Sequence, residues 1–128
     1  MTIAVRILYV DDDPDIRTIV ELSLALDPSV EVRAFGSGSA ALRAIEQHPW
    51  RPTAIILDLM MPDMDGITLL GELRRHADLA TTPAVFMTAG GHDRGGPDLS
   101  QHGAAGVILK PFDPIELVGT VRALIAAA

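Results

Sequence analysis

Residues 3–14 read IAVRILYVDDDP, an apolar run rich in branched side chains that stops at three aspartates and a proline. A run of this kind that ends at acids and proline predicts a buried strand followed by the start of a helix. Pro14 suits the first helical position, and an acid before it suits the helix cap. Apolar residues then recur at helical spacing, at Ile16, Ile19, Val20 and Leu24. We therefore predict one β/α unit at the start of the chain.

Four further apolar runs have the character of strands and predict four more β/α units: Val30–Phe35, Ala54–Leu57, Ala84–Met87 and Val107–Leu109. The last helix is predicted to begin at Pro114, with Asp113 as its cap and Glu116 completing a capping box. Alternation of buried strands with helices is typical of a parallel sheet covered on both faces. We predict one α/β domain over residues 1–128, a doubly wound, flavodoxin-like sheet of five parallel strands in the order 2-1-3-4-5.

Composition excludes several classes of protein. With 128 residues, 48% of them apolar, and a mean hydropathy of +0.30, the chain is a folded domain rather than a disordered one. It has no cysteine, which excludes disulfides, thiolate nucleophiles and cysteine-based metal sites. A net charge of −7 argues against direct nucleic-acid binding. The absence of a membrane-spanning run and of a signal peptide predicts a cytoplasmic protein that does not bind membranes.

Polar residues follow four of the predicted strands: Asp11 to Asp13 after the first, Asp58 after the third, Thr88 after the fourth and Lys110 after the fifth. Each alone has an ordinary explanation, as a helix cap, a turn hydroxyl or a surface charge. Ligands of doubly wound sheets bind beyond the carboxyl ends of the strands, where the strand order reverses. Because all four ends meet at that crevice, their joint occurrence predicts a site.

The residue types at this predicted site indicate phosphoryl chemistry. Carboxylates held together repel one another, and an all-oxygen site compensated by a divalent cation suits Mg²⁺. A bound Mg²⁺, an ammonium and a hydroxyl all stabilise anionic oxygens, and a carboxylate can act as a nucleophile. Together they are the components of phosphoryl transfer to an aspartate.

Four segments of the chain, ILYVDDDPDIR (7–17), IILDLMMPDMDG (55–66), FMTA (86–89) and LKPFDPIEL (109–117), strongly resemble the receiver domain of two-component response regulators, in particular stand-alone chemotaxis regulators. The resemblance spans the whole chain. It implies a signalling switch rather than an enzyme, which accepts a phosphoryl group from a sensor histidine kinase or a histidine phosphotransfer protein and then acts on a downstream protein target.

The resemblance also implies a role for each residue of the site. Asp58 would be the phosphoacceptor, Thr88 the switch hydroxyl and Lys110 the ammonium that binds the phosphoryl group. Mg²⁺ would be held by Asp11, Asp12, Asp58 and the backbone carbonyl of Met60. The bond between Lys110 and Pro111 would be cis.

Two features depart from the family pattern. Val107 stands where the family usually has an aromatic residue that rotates inward on phosphorylation. The segment AGGHDRGGPDLSQHGAAG (89–106) is rich in glycine, which predicts a shortened fourth helix beginning near Pro97. We therefore expect activation to change mainly the loop from Ala89 to Pro97.

Two alternatives come from other classes of protein. A small Mg²⁺-dependent phosphatase with an aspartate nucleophile would need a second acid two residues after Asp58, where this chain has Met60. A dinucleotide-binding domain is suggested by GSGSAA (36–41), with an acid about 20 residues further on. That fold needs a longer chain, and a plain turn with Ser37 or Ser39 as helix cap explains the same residues.

Overall fold

The computed structural model describes residues 3–89 and 102–127. Five strands form one sheet in the order β2-β1-β3-β4-β5, and every neighbouring pair is parallel. The strands are β1 (Val5–Val10), β2 (Val30–Phe35), β3 (Ala54–Asp58), β4 (Ala84–Thr88) and β5 (Ala104–Leu109). The predicted strand order is confirmed. It places β1 beside β3 at the centre, where the winding reverses.

Four α-helices and one short 3₁₀ helix cover this sheet within the described residues: α1 (Pro14–Leu24), α2 (Gly38–Gln47), α3 (Gly66–Leu73), the 3₁₀ helix (Ala77–Leu79) and α4 (Leu117–Ala126). The helices α1 and α4 pack on one face, and α2 and α3 pack on the other. Alternate residues of β1 enter the two apolar layers, so that Leu8 faces α2 and α3 while Tyr9 faces α1 and α4. This double burial explains why the strand reads as a continuous apolar run. None of the helices in the described ranges is long and apolar enough to cross a bilayer.

Side-chain caps set the starts of three helices. The carboxylate of Asp13 accepts hydrogen bonds from the first turn of α1, and that of Asp65 does the same for α3. The hydroxyl of Ser37, rather than that of Ser39, accepts the amide of Ala40 at 3.1 Å and caps α2. The residues GSGSAA therefore act as a turn and cap in this structure.

The last helix begins later than predicted. Asp113 Oδ1 accepts the amide of Ile115 at 2.9 Å, and the Asp113 carbonyl accepts the amide of Glu116 at 3.1 Å, which makes a separate turn. The side chain of Glu116 makes no capping bond, so the expected capping box is absent, and α4 starts at Leu117. The turn satisfies the same backbone groups locally, which explains why the sequence pattern was misleading.

The fifth strand is longer than predicted, because it begins at Ala104 rather than Val107. Its first three residues are Ala, Ala and Gly, which carry little strand propensity of their own. Close packing accounts for them: a Cβ built on Gly106 would lie 2.6 Å from Cδ2 of Leu124 in α4. The short helix expected near Pro97 lies outside the described residues.

Candidate functional site

Three carboxylates meet at the centre of the carboxyl edge of the sheet. Asp11 and Asp12 follow β1, Asp58 ends the adjacent β3, and one oxygen of each lies within 4.8 Å of the others. Asp11 and Asp58 are buried, whereas Asp12 is exposed. The donors are all hard oxygens with one side open to solvent, which is the chemistry that Mg²⁺ prefers. The residues present therefore fit the predicted cation.

Lys110 reaches this cluster from the carboxyl end of the edge strand β5. Its Nζ lies 3.1 Å from Oδ2 of Asp11 and 3.5 Å from Oδ1 of Asp58. Its backbone amide donates to the carbonyl of Thr88 at 2.7 Å, which fixes the end of β5 against the end of β4. The bond between Lys110 and Pro111 is cis, as the sequence resemblance implied. One ammonium thus partly compensates two buried acids.

Thr88 and Met60 lie beside the central acid. β4 pairs with β3 so that Met87 is opposite Asp58, which places buried Thr88 one residue beyond it at the same edge. The backbone amide of Met60 favours the ionised form of the Asp58 carboxylate and so lowers its pKa, while the Met60 side chain is 73% exposed. A thioether cannot serve as the general acid that a phosphatase of this type would need. The role of the Met60 carbonyl as a metal ligand stays a prediction.

The surroundings of Asp58 favour a reactive carboxylate. Burial, followed by the negative charge of Asp11, raises the pKa of Asp58 from 3.8 to about 6, against the opposing effects of Lys110 and the Met60 amide. The group is therefore mostly ionised at neutral pH although it is poorly solvated. A carboxylate that has lost part of its hydration is available to attack an electrophile.

Three groups that hold Asp11 were missed by the sequence analysis. The hydroxyl of Tyr9 donates to Asp11 Oδ2 at 2.7 Å, and the amide of Asp13 donates to Oδ1 at 3.0 Å. Arg17 Nη1 donates to the Asp11 carbonyl at 2.8 Å. The signal for Tyr9 was present, because a residue two positions before Asp11 on a strand shares its face of the sheet. It was hidden within an apolar run that reads simply as core.

Gly66 allows α3 to start directly against Asp58. A Cβ at this position would lie 2.6 Å from the carbonyl oxygen of Asp58, which is closer than such atoms approach. The Gly66 amide also donates to the carbonyl of Leu59 at 2.9 Å. The loop between β3 and α3 is therefore folded tightly behind the central acid.

Comparison with known proteins agrees with this geometry. The family model described as "Response regulator receiver domain" matches residues 7–122. The transcriptional regulatory protein SrrA of Staphylococcus aureus is 35% identical over 120 residues, which are 94% of this chain and 47% of SrrA. The chain thus spans about half the length of the curated relatives that it matches.

Solved structures with a similar fold are also response regulators. The chemotaxis response regulator CheY4 of Vibrio cholerae has a TM-score of 0.82 and 28% identity, covering 94% of this chain and 98% of CheY4. A putative response regulator from Chloroflexus aurantiacus has a TM-score of 0.81 and 35% identity, covering 95% and 98% of the two chains. These likenesses do not favour the phosphatase alternative. The chain belongs to the receiver domains of two-component response regulators, which are signalling switches.

Proposed function

We propose that Asp58 accepts a phosphoryl group from the phosphohistidine of a sensor kinase or of a histidine phosphotransfer protein, with Mg²⁺ as cofactor. The observation that carries this proposal is the arrangement of Asp58 itself. Its buried carboxylate has an oxygen within 4.8 Å of those of Asp11 and Asp12, and it lies 3.5 Å from the ammonium of Lys110. A nucleophile, a set of oxygen ligands suited to a cation and a positively charged side chain therefore lie next to one another.

The transfer exchanges one bond to phosphorus for another. A carboxylate oxygen of Asp58 attacks the phosphorus, the P–N bond to the donor imidazole breaks, and the imidazole leaves with the electron pair and takes up a proton. The Lys110 ammonium and the Thr88 hydroxyl stabilise the phosphoryl oxygens, where negative charge is concentrated. Mg²⁺, held by Asp11, Asp12 and Asp58 with the Met60 carbonyl, would supply further charge compensation at those oxygens. Hydrolysis of the acyl phosphate, assisted by the same groups, resets the switch.

Redirection of Lys110 is the first structural change that we expect. Its ammonium is now shared between Asp11 and Asp58, and a phosphoryl group on Asp58 competes for it. Val107, which is half-buried against the apolar layer under α2 and α3, is too short to rotate as an aromatic residue would. The expected change between Ala89 and Pro97 falls mostly outside the described residues and stays a prediction. The action on a downstream protein target and the cytoplasmic location also stay predictions.

The proposal is tested with acetyl phosphate as a small phosphoryl donor. The parent chain, Asp58→Asn and Asp63→Asn are incubated with the donor in Mg²⁺ or in EDTA, and intact mass is measured. Asp63 is an exposed acid of the same loop that lies outside the carboxylate cluster, so its variant is the matched control. We expect a single Mg²⁺-dependent phosphoryl adduct in the parent and in Asp63→Asn, and none in Asp58→Asn. Equal labelling of Asp58→Asn, or equal labelling in EDTA, would overturn the proposal.

A further inference from the structure

We propose that Tyr9 is a positioning residue, whose hydroxyl holds the carboxylate of Asp11 in the orientation that binds the cation. This inference rests on the proposed function, since it concerns the same Mg²⁺ site. The hydroxyl lies 2.7 Å from Asp11 Oδ2, and both residues are fully buried.

The geometry follows from the pleat of β1. Residues two apart on a strand point to the same face and are separated by roughly 6.6 Å along it, a distance that a phenol ring spans. Tyr9 is the only tyrosine in the chain, and its ring lies in the apolar layer under α1 and α4. The hydroxyl is the donor in this bond, since an ionised carboxylate can only accept.

Tyr9 and Lys110 share Asp11 Oδ2, but they differ in how freely they can leave it. Lys110 has a flexible side chain that is 19% exposed, and it already lies 3.5 Å from Asp58. The ring of Tyr9 is enclosed by packed side chains and has only two rotatable bonds. When Lys110 turns toward a phosphoryl group, Tyr9 is the side-chain donor that stays on Asp11. Its hydroxyl thus keeps the carboxylate oriented through the whole cycle.

The hydrogen bond from Tyr9 to Asp11 has a second effect, which opposes Mg²⁺ binding. A donor also withdraws charge from the carboxylate, which by itself weakens its attraction for a cation. Outer partners of metal ligands act mainly through orientation, and their loss typically costs 10- to 100-fold in metal affinity. We therefore infer that loss of the Tyr9 hydroxyl weakens Mg²⁺ binding rather than strengthening it.

The experiment compares Mg²⁺ dissociation constants and melting temperatures of the parent, Tyr9→Phe and Ser23→Ala by calorimetry. Ser23 is the matched control, because its buried hydroxyl donates to the Ile19 carbonyl at 2.7 Å within α1 and makes no contact with the site. Both variants should melt earlier than the parent. Only Tyr9→Phe should bind Mg²⁺ about tenfold more weakly. A dissociation constant for Tyr9→Phe that is unchanged or lower would show that Tyr9 is a packing residue, and would overturn the inference.

A second measurement needs no variant. With ¹³C at the Cζ of tyrosine, the single resonance reports the hydrogen bond to Asp11, and we expect it to shift on Mg²⁺ addition with the dissociation constant found by calorimetry. An unmoved resonance in a Mg²⁺-saturated sample would contradict the inference even if Tyr9→Phe fails to fold. Absence of Mg²⁺ binding in the parent would instead overturn the proposed function, and this inference with it.

Discussion

The Nζ of Lys110 lies 3.1 Å from Oδ2 of Asp11, a residue 99 positions earlier in the chain. The contact joins the end of the edge strand β5 to the end of the central strand β1, across β3 and β4. Since Asp11 is fully buried, the ammonium offsets a charge that water cannot reach.

Replacement of this ammonium should have opposite effects on folding and on metal binding. Without Mg²⁺, Lys110→Met leaves buried Asp11 and Asp58 without their cation, and we expect a loss of about 3 kcal/mol in the free energy of unfolding, measured with urea in EDTA. Mg²⁺ affinity should rise, because a competing positive charge has been removed. The control is Arg75→Met, which removes an exposed cation of a surface ion pair. Weaker Mg²⁺ binding by Lys110→Met would contradict this prediction.

The stability of the metal-free domain should carry the signature of Asp58. Its pKa is about 6 in the folded chain and 3.8 when unperturbed, so the folded state holds the proton more tightly. Ionisation therefore costs stability: the penalty is absent below pH 3.8, grows as pH rises, and is complete above about pH 6. In EDTA at pH 8, the free energy of unfolding of Asp58→Asn should be about 1 to 2 kcal/mol higher than that of the parent, after allowance for solvent screening. Near pH 4 the two free energies of unfolding should be equal. A difference that does not vary between these pH values would refute the assignment.

Asp12 is the exposed member of the carboxylate cluster and should bind metal at a cost to the fold. Asp12→Ala relieves repulsion with Asp11 and Asp58, so the free energy of unfolding of the metal-free protein should rise by up to about 1 kcal/mol. Its Mg²⁺ affinity should fall by about tenfold or more, since fewer carboxylates then offset dehydration of the ion. Calorimetry and thermal melts measure both effects, with Asp15→Ala as an exposed acidic control in α1. Unchanged Mg²⁺ binding would remove Asp12 from the ligand set.

Gly66 and Gly71 provide a matched pair within one helix. A methyl group at Gly66 would meet the Asp58 carbonyl at 2.6 Å, whereas at Gly71 it would meet nothing within 4 Å. We expect Gly66→Ala to lose about 1 to 3 kcal/mol in unfolding free energy and to slow labelling by acetyl phosphate. Gly71→Ala should raise the unfolding free energy by about 0.5 to 1 kcal/mol, because alanine has the higher helix propensity, and its labelling by acetyl phosphate should match that of the parent. Equal stability of the two variants would mean that the loop behind Asp58 can relax.

The sequence predicted the fold well where buried strands ended in polar residues. The apolar run before Asp11 and the one before Asp58 each predicted a strand and placed its carboxyl end correctly. Sequence patterns predicted the ends of elements less reliably where a strand begins with small residues or where a turn precedes a helix. The start of β5 at Ala104 is set by close packing against α4, and the turn at Asp113 resembles a capping box in sequence alone.

Within the candidate site, residue types predicted convergence but not the network that holds the charges. The carboxylates of Asp11 and Asp58 are close together, as expected from adjacent strands. The contact of Lys110 with Asp11 depends on strand order and on the length of its side chain, so spacing along the chain could not predict it. The Tyr9 hydroxyl was hidden because its ring satisfies the apolar pattern of the strand.

The charges at the carboxyl edge have a consequence for the control of the switch. Three carboxylates and one ammonium leave two net negative charges when all four groups are ionised. A divalent cation brings that balance to neutrality, and a phosphoryl group on Asp58 makes it negative again. Under the proposed function the two events are thermodynamically linked, so that each favours the other by the same factor. The phosphorylation equilibrium of this domain would then depend on free magnesium as well as on the supply of phosphoryl donors, so its switching threshold would be set by both concentrations.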